Sequence, residues 1–258
     1  MTVKTLIIRT AGTNCDQETK FAFERAGAKV SLLHINRVNE RPALLDEHQI
    51  LALPGGFSYG DDIAAGKIHA NELRTKLGDR LRAFVDSGKL VIGICNGFQV
   101  LVKTGLLPGP FRPDAPQTCT LTFNDSNKFE DRWVYLSVDS DKSPFIRKGQ
   151  VIYFPVAHGE GKFVAKDDAT LDVIRSNDQV VFRYCDADGR TGAGYPANPN
   201  GSVDDIAGIC DPTGRILGLM PHPERYVLPT QYPRWTRDGL KPEGDGVQVF
   251  RNAVEYFR

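Results

Sequence analysis

Ten residues, Leu90-Val91-Ile92-Gly93-Ile94-Cys95-Asn96-Gly97-Phe98-Gln99, constrain this chain more than any other stretch. Leu90 to Ile94 is a short apolar run rich in β-branched residues and reads as a buried strand. Apolar residues at 98, 100, 101 and 102 suffice for a short helix from Asn96 to Lys103. Between them lies Gly-x-Cys-x-Gly, the cysteine form of the nucleophile elbow, whose sharp bend pushes the nucleophile out at the top of a sheet. Gly93 and Gly97 lack a Cβ, so strand and helix can pack closely around the bend. At a helix start, partial positive charge favours thiolate over thiol, and free amides can bind an oxyanion. A free cysteine ordinarily packs as a small hydrophobe. The elbow is what separates Cys95 from that ordinary role.

The rest of the first half reads as the scaffold for such an elbow. Thr5 to Arg9 is a strand and Thr10 to Asn14 a turn. A helix follows from Asp16 to about Ala26, with Gly27 as its stop, and Lys29 to Ile35 is the next strand. This is a βαβ unit, and hence a parallel sheet. Cys15 sits in the first βα turn without flanking glycines, and reads as a structural or substrate-adjacent thiol rather than a nucleophile. Pro42 to Asp46 forms a short helix, and Ile50 to Leu53 a buried strand ending in Pro54-Gly55-Gly56-Phe57-Ser58-Tyr59-Gly60-Asp61-Asp62. Loops at the carboxyl ends of parallel strands are where α/β proteins bind ligands. One strand before an elbow, such a loop supplies the second oxyanion donor. The loop continues to His69, a helix runs from about Asn71 to Ser87, and the elbow strand follows.

After Gly105 the texture changes. Pro108, Pro110, Pro113 and Pro116 break up a connector, and strand-like runs follow at 118–123, 133–138, 151–156, 180–185, 206–210 and 216–220. These predict an antiparallel addition to the parallel core. A final helix over 246–257 carries an apolar stripe suited to packing on that core. The 258 residues carry a formal net charge of zero, which argues against nucleic-acid or membrane-surface binding by bulk charge. No apolar run approaches the ~18 residues of a membrane span, and Met1 to Arg9 has no signal-peptide pattern. Five cysteines without paired spacing suggest reduced thiols in the cytoplasm and no zinc-binding set.

A thiolate that attacks an amide needs a partner to protonate the leaving amine. His34 ends a strand, His48 precedes one and His69 lies in a loop with no acidic orienter at useful spacing; all three read as solvated or structural. His158, in Ala157-His158-Gly159-Glu160-Gly161, and His222, in Met220-Pro221-His222-Pro223-Glu224-Arg225, both remain candidates to face Cys95. His222 is the stronger. In an extended segment, which Pro221 and Pro223 favour, residues i and i+2 share a face, and Glu224 can fix the imidazole tautomer. Metal binding by this pair is not expected, because no third ligand lies at local spacing.

Together, the elbow, the preceding Gly-Gly loop and the late His-Pro-Glu resemble the class I, Cys-His-Glu glutamine amidotransferases. Within that class Gly12 to Asp16, Leu53 to Asp62, Asn124-Asp125-Ser126, Phe129, Arg132-Trp133, Ala157 to Gly161, Tyr195 to Ser202 and Met220 to Arg225 resemble the glutaminase subunits of phosphoribosylformylglycinamidine synthases. The elbow alone would leave open other class I members, a cysteine peptidase or a redox thiol; Ala157 to Gly161 and Tyr195 to Ser202 disfavour the other class I members. The combined resemblance implies one α/β domain over residues 1–258, with a central, mostly parallel sheet flanked by helices and an antiparallel β addition in the second half. It implies L-glutamine hydrolysis with Cys95 as nucleophile, His222 as acid–base group and Glu224 as its orienter. Gly56 and Asn96 would supply the oxyanion amides, and Gly55, Phe57, Gln99, Asn124, Ser126 and His158 would contact substrate. It implies as partner the formylglycinamide ribonucleotide synthetase large subunit, with or without a small accessory subunit. ATP and magnesium would be used there and no cofactor in this chain, which has no Walker-type loop. The stretch Tyr226 to Glu243, rich in proline, arginine and aromatics, reads equally as partner surface or plain surface loop.

Overall fold

The structure is a computed structural model, and it describes residues 2–111 and 116–258; Pro113 of the connector lies outside them. The first half alternates strand and helix: β1 (Lys4–Arg9), α1 (Asp16–Arg25), β2 (Lys29–His34), α2 (Ile35–Glu40), β3 (Ile50–Leu53), α3 (Lys67–Asp86), β4 (Leu90–Ile94) and α4 (Asn96–Thr104). The second half is mainly strands: β5 (Cys119–Thr122), β6 (Glu130–Val138), β7 (Val151–His158), β8 (Lys162–Ala165), α5 (Asp168–Ser176), β9 (Val180–Cys185), β10 (Ile206–Cys210), β11 (Ile216–Leu219), α6 (Trp235–Asp238) and α7 (Val247–Glu255).

Nine strands form one sheet in the order β2-β1-β3-β4-β11-β10-β9-β6-β7, and β5 with β8 makes a separate two-stranded ribbon. The joins from β2 to β11 are parallel, and those from β11 to β7 antiparallel. The expected antiparallel addition is therefore mostly no second layer but a continuation of the same sheet. The strands at its centre read as unbroken apolar runs because both faces are covered: every residue of β3, β4, β10 and β11 is buried.

Several elements differ from the sequence expectation. α3 starts at Lys67, four residues before the expected Asn71, because Gly66 takes a left-handed conformation (φ 72°) at its N-cap and Asp61 Oδ1 accepts the Gly66 N–H at 3.0 Å. His69 is therefore a buried helix residue rather than part of a loop. The segment Pro42–Leu45 is a 3-10 turn. Helices α2 and α5 had no predicted counterpart. The first is capped by its own sequence, with His34 Nδ1 accepting the Asn36 N–H, and the second by Asp167, which accepts the Thr170 N–H at 2.8 Å. Of the Tyr226–Glu243 stretch, Tyr226 is buried and packs with Tyr232 against Trp133 of β6, while most residues from Tyr232 onward are exposed.

Register places the functional loops. Leu53 of β3 pairs with Gly93 of β4, and Leu219 of β11 with Ile94, so these strands end side by side. Helix α4 then leaves β4 so tightly that a Cβ on Gly97 would lie 1.9 Å from the Leu53 carbonyl oxygen. A Cβ on Gly93 would meet the Gly97 carbonyl oxygen at 2.5 Å. Gly97→Ala should therefore displace backbone rather than a flexible side chain. The expected loss is about 3 kcal/mol of unfolding free energy or more, read by chemical denaturation.

Candidate active site

Cys95 occupies the bend between β4 and α4 with φ 50° and ψ −106°, a conformation that non-glycine residues rarely adopt and that surrounding structure must enforce. Its N–H donates to the Leu219 carbonyl at 2.8 Å, tying the bend to the adjacent strand β11. The side chain lies on the wall of a cavity of about 300 Å³ shared with Gly56, Phe57, Asp61, Gln99, Phe129, His158 and Glu160, among others.

Two residues beyond β11 and Met220, the His222 N–H donates to the Pro155 carbonyl of β7 at 2.8 Å, which pins this loop to the antiparallel half of the sheet. His222 Nδ1 and Glu224 Oε1 are 2.6 Å apart, and both residues are fully buried. The dyad anticipated from the i, i+2 spacing forms, but by a different backbone: Pro223–Arg225 is a 3-10 turn, not an extended segment. Burial opposes charge on His222. The Glu224 carboxylate and the neighbouring Cys95 and Cys15 thiols outweigh it and raise the imidazole pKa well above its ordinary value.

Gly55 is the point where these groups meet. A Cβ there would lie 2.8 Å from His222 Cε1, 3.1 Å from Cys15 Sγ and 3.4 Å from Cys95 Cβ. The Gly55 carbonyl accepts N–H bonds from Asn14 (3.3 Å) and Cys15 (3.2 Å) at the start of α1. Gly56, with φ 140°, leaves no room for a side chain against Thr13 and Asn14. The Thr10–Cys15 turn thus fixes the orientation of the Gly55–Gly56 peptide. The amides of Gly56 and Asn96 donate to no other group among the described residues.

His158 differs from His222 in its partners. Its Nδ1 lies 3.1 Å from Asn124 Oδ1 and its Nε2 3.5 Å from Asn200 Nδ2, which assigns Nδ1 as the protonated nitrogen. Burial, with His222 nearby, pushes its pKa down to about 3. Asn124 itself lies beneath the cavity. Its amide bonds the carbonyls of Lys128 and His158 and accepts the Gly161 N–H, so it shapes the turn rather than facing the space. Ser126 Oγ bonds Glu130 at 3.0 Å, also off the cavity wall. Gln99 does reach the wall, but its side chain already links Asn96 (2.9 Å) to the Glu160 carbonyl (2.6 Å).

The sequence assigns no role to Asp61, Glu160 or Arg225, and reads Cys15 only as a structural or substrate-adjacent thiol. Asp61 and Glu160 put carboxylates on the cavity wall. Asp61 accepts from Asn96 Nδ2 at 3.1 Å, and burial raises its pKa. Cys15 and Arg225 meet beside His222, with Arg225 Nη2 3.1 Å from Cys15 Sγ. The "SYGDD" and "HGEG" stretches offered a signal for the acids; nothing local signalled the Cys15–Arg225 contact, which joins the two ends of the chain.

This fold and site are those of a glutamine amidotransferase: the CobB/CobQ-like glutamine amidotransferase domain family matches residues 2–257, and the chain belongs to it. Within that family its relatives are PurQ subunits of phosphoribosylformylglycinamidine synthase. It is 53% identical over 257 residues to that of Dehalococcoides mccartyi, covering 99% of this chain and 98% of the relative. It is 42% identical over 265 residues to that of Methanococcus maripaludis strain S2, covering 98% and 97%. Among solved structures, a chain of PurLQS from Thermotoga maritima superposes with a TM-score of 0.75 at 31% identity, covering both chains fully.

Buried neutral His158 gives a signed pH dependence. In the unfolded chain its pKa returns to about 6.5, so between there and about 3 the unfolded state binds the extra proton. Stability should be fully present above pH ~6.5 and decline by up to ~1.4 kcal/mol per pH unit from this site as pH falls. His69, pushed by burial to about 4, adds a similar slope. Urea unfolding between pH 7 and 4.5 should show this decline, and His158→Gln should make it shallower.

Proposed function

We propose that this chain is the glutaminase subunit of phosphoribosylformylglycinamidine synthase, and that it hydrolyses L-glutamine through a Cys95 glutamyl thioester. The convergence of Cys95 and the buried His222–Glu224 pair around Gly55 carries this reading. Substrate enters the cavity with its side-chain amide at Cys95. The Asp61 and Glu160 carboxylates offer the wall an acidic partner for the α-ammonium group. The thiolate attacks the amide carbon, and the oxyanion that forms is held by the free amides of Gly56 and Asn96. Protonated His222 gives its proton to the departing ammonia, leaving the thioester. The now neutral imidazole takes a proton from water, which attacks the thioester and releases glutamate. Glu224 stays ionised throughout and holds the ring by Nδ1. In this scheme Gln99, Asn124 and His158 position the Gly159–Gly161 turn and the elbow helix.

The ammonia goes to the formylglycinamide ribonucleotide synthetase subunit, which makes formylglycinamidine ribonucleotide with ATP in de novo purine synthesis. The chain acts as one amidotransferase unit without a cofactor of its own, and ATP and magnesium are used by the partner. No helix among the described residues is long and apolar enough to cross a membrane. The five cysteines are unpaired, which supports a reducing, cytoplasmic setting.

Glutamate release from L-glutamine should be absent in Cys95→Ala. In Glu224→Gln, which keeps the shape but loses the charge, kcat should fall by about 10²–10⁴-fold. Adding the synthetase subunit and its substrates should raise release by the wild type, and free ammonium should still support amidine formation by the complex carrying Cys95→Ala. No glutamate in any combination would sink the reading. Asp61→Asn should raise KM more than it lowers kcat, measured in the same assay.

A further inference from the structure

The glutaminase scheme leaves Cys15 without a task, yet the fold carries this second thiol to the catalytic imidazole. Cys15 Sγ, a ring nitrogen of His222 and a carboxylate oxygen of Glu224 lie within 4.8 Å of one another, and all three residues are buried. Two atoms of this group have no hydrogen-bond partner among the described residues: His222 Nε2 and Glu224 Oε2. The glutaminase scheme uses His222 Nε2 but gives Glu224 Oε2 nothing, and a buried oxygen left bare costs stability. Gly55 lets the thiol and the ring approach each other closely, since a Cβ there would meet both.

We propose that Cys15, His222 and Glu224 form a binding site for zinc, which on loading removes the imidazole from the glutaminase cycle. A thiolate, an imidazole and a carboxylate are the ligand types that zinc takes together, whereas calcium and magnesium prefer oxygen throughout. Zinc bonds of about 2.0–2.3 Å require the three atoms to close in by about 1 Å, within the reach of side-chain rotation. Binding displaces the thiol proton and the proton on His222. Arg225, 3.1 Å from Cys15 Sγ, then donates to the bound thiolate and offsets its charge, as groups outside a metal's ligand set commonly do. A fourth position stays open to water. Cys95 is not part of the set, so the metal acts by holding the acid–base group and not by capping the nucleophile. The inhibitory consequence rests on His222 serving the glutaminase reaction; the binding does not.

The test is titration of the reduced chain, without oxygen, with zinc and with cobalt(II) as a coloured probe. The expected result is one equivalent bound, a thiolate-to-cobalt charge-transfer absorption, and glutaminase loss that a chelator reverses. Cys15→Ser should remove the absorption and weaken zinc binding at least tenfold, and Glu224→Gln should weaken it as well. Cys95→Ser should retain both binding and absorption. Circular dichroism confirms that each variant is folded, and Glu224→Gln carries the comparison if Cys15→Ser is not. The proposal fails if the wild type takes up no metal. It fails equally if the absorption survives in Cys15→Ser and vanishes in Cys95→Ser, which would place the metal on the nucleophile. Zinc bound through Cys15 in a chain that never releases glutamate would uphold the site and count against the glutaminase reading instead.

Discussion

Helix α4 packs against the end of β3 so closely that the backbone at Gly97 touches the Leu53 carbonyl, and much of the site follows from that contact. The close approach forces the turn at Cys95 into a positive φ, which carries the side chain away from the sheet. It also sets Cys95 beside Gly55, whose Cβ, if it had one, would lie 3.4 Å from that of Cys95. Any residue larger than glycine at 97 would push the helix outward and move nucleophile and amides together. The strain at Cys95 is held by the neighbours of the bend: its amide on Leu219, and α4 buried along its whole length.

A second constraint is electrostatic. The imidazole of His222 is fully buried, and in that setting a lone cation would lose its proton. Glu224 reverses the balance by supplying the opposite charge at 2.6 Å within the same 3-10 turn. His158 shows the contrast. It lies nearby, equally buried, but its partners are two neutral amides, so its pKa falls where that of His222 rises. Two histidines close together are thus shifted in opposite directions. The difference is a carboxylate in one neighbourhood and asparagines in the other.

The continuous nine-stranded sheet makes these two constraints meet. Its parallel half ends in the loops that carry Cys15, Gly55 and Gly56, Cys95 and His222. Its antiparallel half turns β7 back across them, so that Pro155 holds His222 and the Ala157–Gly161 stretch closes one side of the cavity. The Asn124 and Asn200 amides brace that turn from below. The cavity is therefore built from both halves of the chain, while the central parallel strands supply the nucleophile.

What the sequence by itself determined is what short-range pattern encodes. The elbow follows from glycines spaced around a cysteine after a β-branched run. The βαβ opening follows from hydrophobic period, and the His222–Glu224 pair from two residues too close in the chain to be far apart in space. The backbone of that pair was misread because prolines at 221 and 223 suit an extended segment and a 3-10 turn alike, Pro223 being at the turn's first position. Helix α3's early start was hidden because Gly66 looks like a loop residue until its left-handed cap is seen. Only the tertiary structure set asparagines around the His158 ring and a carboxylate beside that of His222. Only it showed Asn124, expected to contact substrate, as a buried residue whose amide braces the 158–161 turn. Only it set Cys15 and Arg225, from opposite ends of the chain, beside the His222 imidazole, since contacts across that span depend on which strands neighbour each other, and no local pattern records that order.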